Sequence, residues 1–379
     1  MEAINIRKYI PIITIIIIAI VAIGATALFT DYNSIYDTEE DYSLEIAVTI
    51  PPQAEHVEEI GGAKVDTITM VPKGENPHNY SPSEEKLEKL TEADIYYKVG
   101  SGIDFEEKHM DTIREKNPDM KIVNGKENIS LREMEDQENN QTNKDTHIWL
   151  SAKNTQKMVK TLLGTMKEVD TTHLFTIEES IPEIIESLNY ENITTQLENI
   201  YGEENHTIPD NSNISIEKEN KRWILRGNAQ NYTYEIRKEK GNLNVYDITN
   251  IPDYESNAER YLEELENLHQ KIKENLSEFE GRSFLTYHPS LGYFAKDYNL
   301  NQIVVKAEGK DPGAGDLENI INQAEEENIK TIFVSPQFSK NNAEIIAESI
   351  GGEVIEFDPL DRNHLNNLES IYEKLLDSF

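Results

Sequence analysis

The chain has 379 residues, enough for two cores, and its 71 acidic against 36 basic side chains give a formal charge of -35. A surface so acidic repels phosphate backbones, which excludes nucleic acid as a partner. The lack of any cysteine excludes disulfides, thiolate metal sites and a lipid-modified cysteine together. The charge also draws divalent cations at long range, but it suits a saline habitat or plain solubility equally well.

Arg7 and Lys8 precede twenty uncharged residues, Ile10 to Phe29, and Asp31, Asp37, Glu39, Glu40 and Asp41 follow them. As a helix that stretch reaches about 30 Å, enough to cross a bilayer core. The positive-inside rule therefore predicts a cytoplasmic N-terminus over 1–9, a transmembrane anchor or uncleaved signal over 10–29, a linker over 30–43 and an outward-facing remainder. Ala25-Thr26-Ala27 has the pattern of a signal-peptidase site, so a cleaved, secreted form is the alternative. Retention is favoured because the apolar stretch exceeds a usual signal core. Asn-x-Ser/Thr triplets, for example at Asn79 and Asn128, fit an exported chain but arise by chance in an Asn-rich one.

From residue 44 the pattern changes. Leu44 to Ile50 reads as a buried strand stopped by Pro51-Pro52, followed by a helix over Glu55 to Ile60 that ends at Gly61-Gly62. Strand-like runs recur at 65–70, 95–99 and 121–123, with a helix over 83–91. The same alternation returns at 284–287, 302–305, 331–334 and 353–357, with helices over 317–326 and 342–350. Strands alternating with helices predict parallel sheets. The expected fold class is thus α/β: two parallel-sheet lobes, 44–170 and 280–379, joined by one long helix over 253–279. Tyr261, Leu265, Leu268, Ile272, Leu276 and Phe279 give that helix its apolar stripe. Such a connection is stiff.

Two segments break the pattern. Residues 124–146 are acidic, Asn-rich and poor in apolar side chains, which predicts a mobile loop ending just before His147. Residues 171–252 contain Trp223 to Leu225, Tyr232 to Ile236 and Leu243 to Ile248, short antiparallel strands linked by turns such as Lys240-Gly241-Asn242. They predict an inserted α+β subdomain.

Nine histidines are available, and a lone histidine is more often structural or solvated than a ligand. His56, His109, His173, His206, His269 and His364 have no supporting context. His364 keeps an auxiliary possibility because it lies near Asp358. His78 differs, sitting in a loop stiffened by Pro72 and Pro77 beyond a predicted strand. His147 opens His-Ile-Trp-Leu-Ser before a helix over 152–166; His288 and Asp358 each follow a strand. Strand ends are where α/β folds place ligands. Three neutral imidazoles with one carboxylate suit zinc in four-coordinate geometry, whereas manganese prefers more oxygen. Spacing alone does not prove such a site, since the four residues run from 78 to 358 with no short metal motif.

The phrases Ile50-Pro-Pro-Gln-Ala-Glu-His56, Val71-Pro-Lys-Gly-Glu-Asn-Pro-His78-Asn-Tyr80, His147-Ile-Trp-Leu150, His288-Pro-Ser-Leu-Gly-Tyr-Phe-Ala295, Glu308-Gly-Lys-Asp-Pro312, Ile332-Phe-Val-Ser-Pro-Gln-Phe338 and Asp358-Pro-Leu360 occur in order. Together they closely resemble the zinc/manganese solute-binding proteins of ABC transporters, the ZnuA-like and TroA-like group, over roughly 44–170 and 253–379. The resemblance implies two four-stranded parallel lobes, a linking helix and a metal in the cleft between the lobes. Carried over position by position, the metal ligands are His78 and His147 from the first lobe and His288 and Asp358 from the second. Histidine at 288, where manganese-selective members tend to carry a carboxylate, tilts the expectation to zinc, with manganese or iron as the alternative. The implied role is capture without catalysis: a monomeric receptor on the outer face of the cell membrane delivers the ion to an ABC permease and its ATPase.

Three departures from the family pattern stand out. The acidic stretch 124–146 has no histidine, Ser335 stands where a glutamate usually precedes the proline, and 171–252 has no counterpart in the members compared. A zinc hydrolase would need an open coordination position and a general base, for which no motif is found. A surface adhesin with a structural metal is the binding-module rival.

Overall fold

The computed structural model describes residues 44–136, 141–177, 214–219, 222–227, 232–239, 242–248, 250–305, 313–338 and 340–379. The expected membrane segment 10–29 and the phrase at 308–312 lie outside them. Among the described residues no helix is long and apolar enough to cross a membrane. The chain divides into two compact units: one comprises Tyr42–Thr171 and Asn250–Phe379, and the other contains Thr172–Thr249.

The larger unit holds two lobes with the same strand order. In the first, β1 (Leu44–Val48) lies between β2 (Val65–Thr69) and β3 (Ile95–Lys98), and β4 (Lys121–Asn124) completes an all-parallel sheet ordered β2-β1-β3-β4. Ile46, Ala47 and Val48 are fully buried, as befits a central parallel strand covered on both faces. Helices α1 (Pro51–Gly61), α2 (Glu84–Glu88) and α3 (Asp104–Lys116) make the connections. Pro51 and Pro52 do not merely stop β1. They occupy the first positions of α1, where the missing N–H costs nothing, so the helix starts earlier than the expected Glu55. It ends at Gly62, whose φ of 57° favours a residue without Cβ.

In the second lobe β12 (Ser283–Thr286), β13 (Asn301–Val304), β14 (Thr331–Val334) and β15 (Glu353–Glu356) pair in parallel in the order β13-β12-β14-β15. Helices α6 (Gly292–Asp297), α7 (Ala314–Glu326), α8 (Asn341–Ser349) and α9 (His364–Ser378) belong to this lobe.

Between the lobes runs α5 (Ile251–Asn275), 25 residues and so about 37 Å long, followed by a short 3-10 turn at Ser277–Phe279. Tyr254, Ala258, Tyr261, Leu265, Leu268 and Ile272 form its buried stripe. It packs against α1 and against α4 (Ala152–Val169).

The stretch 124–146 is not the unstructured loop its composition predicts. Glu133–Asp136 (β5) and Gln141–Lys144 (β6) form an antiparallel hairpin, with Glu133 paired to Lys144 in register and by a 2.5 Å ion pair. A hairpin satisfies its backbone groups by cross-strand pairing and needs little apolar surface, which is why hydropathy misses it. Ile129 and Asp145 on its flanks are buried.

In the second unit, β7 (Thr172–Ile177), β8 (Ile214–Glu219), β9 (Arg222–Gly227), β10 (Tyr232–Glu239) and β11 (Asn242–Asp247) form one sheet ordered β7-β11-β10-β9-β8. Its strands all pair antiparallel among the described residues. The helical part expected for this segment falls on residues outside the description.

Candidate metal centre

Chain geometry brings His78 to the carboxyl end of the first sheet. Beyond β2, Met70 and Val71 donate their N–H groups to the Val48 and Thr49 carbonyls, which carries the strand into the loop containing Pro72 and Pro77. The His78 N–H donates to Asn76 Oδ1 at 2.9 Å, and its Nδ1 is 2.7 Å from Oδ2 of Asp104, the first residue of α3. One turn further on, Lys108 Nζ donates to the His78 carbonyl at 2.9 Å. One helix thus holds both the ring and the backbone of this residue.

His147 is held more deeply. Asp145, whose side chain is 0 % exposed, accepts from both the N–H and the Nδ1–H of His147 at 3.0 Å through Oδ1, and its Oδ2 is 3.2 Å from Arg132 Nη1. A carboxylate only accepts, so it fixes the proton on Nδ1 and leaves the Nε2 lone pair to face the site. Ile148–Leu150 then form one 3-10 turn, and Ser151 caps α4 by accepting from the Asn154 N–H. Trp149 Nε1 donates to the Pro359 carbonyl at 2.7 Å, tying the His147 loop to the loop that carries Asp358.

On the second lobe His288 follows β12, is 7 % exposed, and stacks on the Phe338 ring at 4.6 Å. The structure brings His78, His147 and His288 together: one ring nitrogen from each lies within 4.8 Å of the other two. The Nε2 atoms of His147 and His288 are 3.2 Å apart. Two nitrogens about 2.0–2.1 Å from one tetrahedral ion stand roughly 3.3 Å apart, so this pair already has the length of a tetrahedron edge.

Asp358 stands outside that group. Its Oδ1 accepts from Gln337 Nε2 at 2.9 Å and from the Leu360 N–H at 3.0 Å, and Asn367 donates to its carbonyl. It lines a cleft of about 350 Å³ with Pro336, Asp361, Asn367 and Lys374, and none of the three imidazoles lines this volume. Ser335, which stands in for the family's glutamate, is buried, and its hydroxyl oxygen has no protein partner. Two residues on, Gln337 takes hold of Asp358.

The remaining described histidines have other work. His56 and His364 are completely buried and bonded to one another, Nε2 to Nδ1, at 3.0 Å. His269 pairs with the Tyr298 hydroxyl at 3.1 Å, and His109 packs on Phe105. The side chain of His173, and His206 entirely, lie outside the description.

Sequence reasoning missed Asp104, Asp145 and Arg132. Asp145 carries a local signal, an acid two residues before a histidine. Asp104 is 26 positions from His78 and carries none.

The family described as "Zinc-uptake complex component A periplasmic" matches residues 46–212 and 191–378, two stretches that overlap within the segment 172–249. The high-affinity zinc uptake system protein ZnuA of Bacillus subtilis is 29% identical over 123 residues, 31% of this chain and 39% of that protein. The manganese-binding lipoprotein MntA of Halalkalibacterium halodurans is 27% identical over 156 residues, 41% of this chain and 48% of that protein. The chain thus spans less than half the length of either relative. A crystal structure of ZnuA superimposes with a TM-score of 0.64 at 27% identity, covering 88% of this chain and 98% of that one.

Proposed function

Because the chain belongs to the periplasmic zinc-uptake component A family, we propose that it is an extracytoplasmic receptor that captures zinc and delivers it to an ABC importer permease. The observation that carries this reading is the convergence of three imidazoles, two of them with Nδ1 bound to a carboxylate. Such an arrangement presents neutral nitrogen lone pairs to a borderline divalent ion and needs no covalent chemistry, so the role is capture and not catalysis.

His78, His147 and His288 serve as three ligands and Asp358 as the fourth. Asp358 joins when its carboxylate turns from Gln337 toward the imidazoles. The ion binds neutral imidazoles, so protons that charge these rings compete with it as pH falls. The apolar segment 10–29 anchors the receptor, and the acidic surface raises the local cation concentration.

Manganese is the second reading, favoured by the manganese-binding relative. Competitive titration of the full-length chain with zinc and manganese against a chromophoric chelator decides between them. The expected result is one ion per chain with zinc strongly preferred. Equal affinities, or preference for manganese, overturn the zinc assignment, and no binding of either overturns the receptor.

A further inference from the structure

The two lobes meet beside His147 in a way that ligand geometry alone does not require. Arg132, at the foot of the β5–β6 hairpin, pairs with Asp145 at 3.2 Å, and Asp145 donates its N–H to the Arg132 carbonyl at 2.8 Å. Both residues belong to the first lobe. The second lobe supplies the cover: the Tyr293 hydroxyl accepts from the Arg132 N–H at 2.8 Å and donates to the Asp145 carbonyl at 3.1 Å. Immediately before it, Gly292 lies so close that a Cβ there would stand 2.1 Å from Arg132 Nη1 and 2.4 Å from Asp145 Oδ2. Gly292 has no positive φ and opens α6, so its backbone makes no demand for glycine. The demand comes from the ion pair beneath it.

We propose that Arg132, Gly292 and Tyr293 form a clasp that tightens the hold of Asp145 on His147 only when the lobes are closed, making Arg132 a positioning residue for metal capture. The inference rests on the receptor reading above. When Gly292 and Tyr293 cover the pair, water is excluded and the Arg132–Asp145 attraction acts at lower effective dielectric. When the lobes slide slightly, the cover loosens, water reaches the pair and it weakens. A metal on Nε2 of His147 draws on the Nδ1–H bond to Asp145, so it favours the state in which that bond is best supported. By linkage the closed state favours the metal to the same degree. Arg132 also ties this coupling to the hairpin, giving the acidic β5–β6 segment a mechanical connection to the site without any ligand of its own.

The test measures zinc affinity of the full-length chain by chelator competition for wild type, Gly292→Ala, Arg132→Gln and the double variant, with apo melting curves as the control on folding. Gly292→Ala alters no polar group, and in the metal-free chain a small slide of α6 and a turn of the Arg132 side chain accommodate it, so its apo melting curve stays near that of wild type while zinc affinity falls about tenfold or more. Arg132→Gln also weakens binding, Arg132→Lys partly restores it, and the double variant is no worse than the weaker single, because both act on one contact. Zinc affinity unchanged in Gly292→Ala, or losses that multiply in the double variant, overturn the clasp while leaving the receptor intact. A wild-type chain that binds no divalent ion overturns the receptor reading and the clasp with it.

Discussion

His147 can offer its Nε2 to a cation because its other ring nitrogen is committed to a carboxylate, and the same holds for His78. The two supporting acids differ in environment. The Asp145 side chain is 0 % exposed and that of Asp104 is 49 % exposed, so water screens the second far more than the first. Asp145→Asn should therefore weaken zinc binding by about 10- to 100-fold, the usual effect of losing a carboxylate behind a metal-bound imidazole. Asp104→Asn should cost only a few-fold, on the order of 1 kcal/mol or less. Chelator competition on the two variants checks the ranking, and a larger loss at Asp104 would refute the burial argument. Tyr293 supports the same region from the other lobe. Burial pushes its phenol up to about 12, so it keeps the proton that it donates to the Asp145 carbonyl at neutral pH.

Among elements, the junction of α1 with α9 is sensitive to pH. His364 Nε2 bonds to the Trp149 carbonyl at 2.8 Å, and a carbonyl only accepts, so that nitrogen carries the proton. In the neutral ring Nδ1 must then accept from His56 Nε2–H, and His56 Nδ1 accepts from the Tyr97 hydroxyl. With both rings neutral every nitrogen has a partner, and burial disfavours a charge on either. Burial holds His56 well below its usual value and His364 down at about 4. A base whose folded pKa is depressed contributes stability that is complete above its unfolded pKa near 6.5 and is lost as pH falls toward 4. For His364 the full loss is roughly 3 kcal/mol. Denaturation of the metal-free chain at pH 7.5 and pH 4.5 should show His364→Gln, which can still donate to the Trp149 carbonyl, losing clearly less stability on acidification than wild type. Equal losses would refute this account.

The contact between those two helices spans 308 positions and leaves no trace in local pattern, unlike the strands around it. β1 and β14 are buried on both faces and therefore read as continuous apolar runs, and the stripe of α5 recurs at helical spacing. α3 buries only Phe105, Glu106, Met110 and Ile113 on an otherwise charged circumference, so its period is faint. The placement of His78 and His288 beyond strands was legible because loops at the carboxyl ends of parallel strands point to one cleft, whereas His147, which opens the turn before α4, was found only through the family phrase His147-Ile-Trp-Leu150. What supports them came from elsewhere in the chain: Asp104 on α3, and Arg132 before a hairpin whose composition mimics disorder.

At the scale of the two lobes, a single long helix and several direct bonds oppose a wide opening. α5 buries one side along its length against α1 and α4. Trp149 bonds to Pro359, Ser151 to Asp297, and His56 to His364, each linking the first lobe to the second, while Arg362 pairs with Glu58 across the same junction. Rotation about a flexible hinge would break all of these at once. Trp149, His56 and His364 are buried, so opening would exchange these bonds for bonds to water, at about 0.5–1.5 kcal/mol each. Sliding of the lobes by small amounts keeps them. Zinc should therefore act by a shear-type adjustment: spin labels on α3 and α7 should report a distance change of roughly 1–2 Å between the apo and zinc-loaded chain. In Trp149→Phe, which lacks the indole donor to Pro359, the metal-free distance distribution should broaden while that of the zinc-loaded form stays narrow. A large rotation in the wild-type chain on zinc binding would refute the stiff linkage, and release would then need no partner to pry the lobes apart.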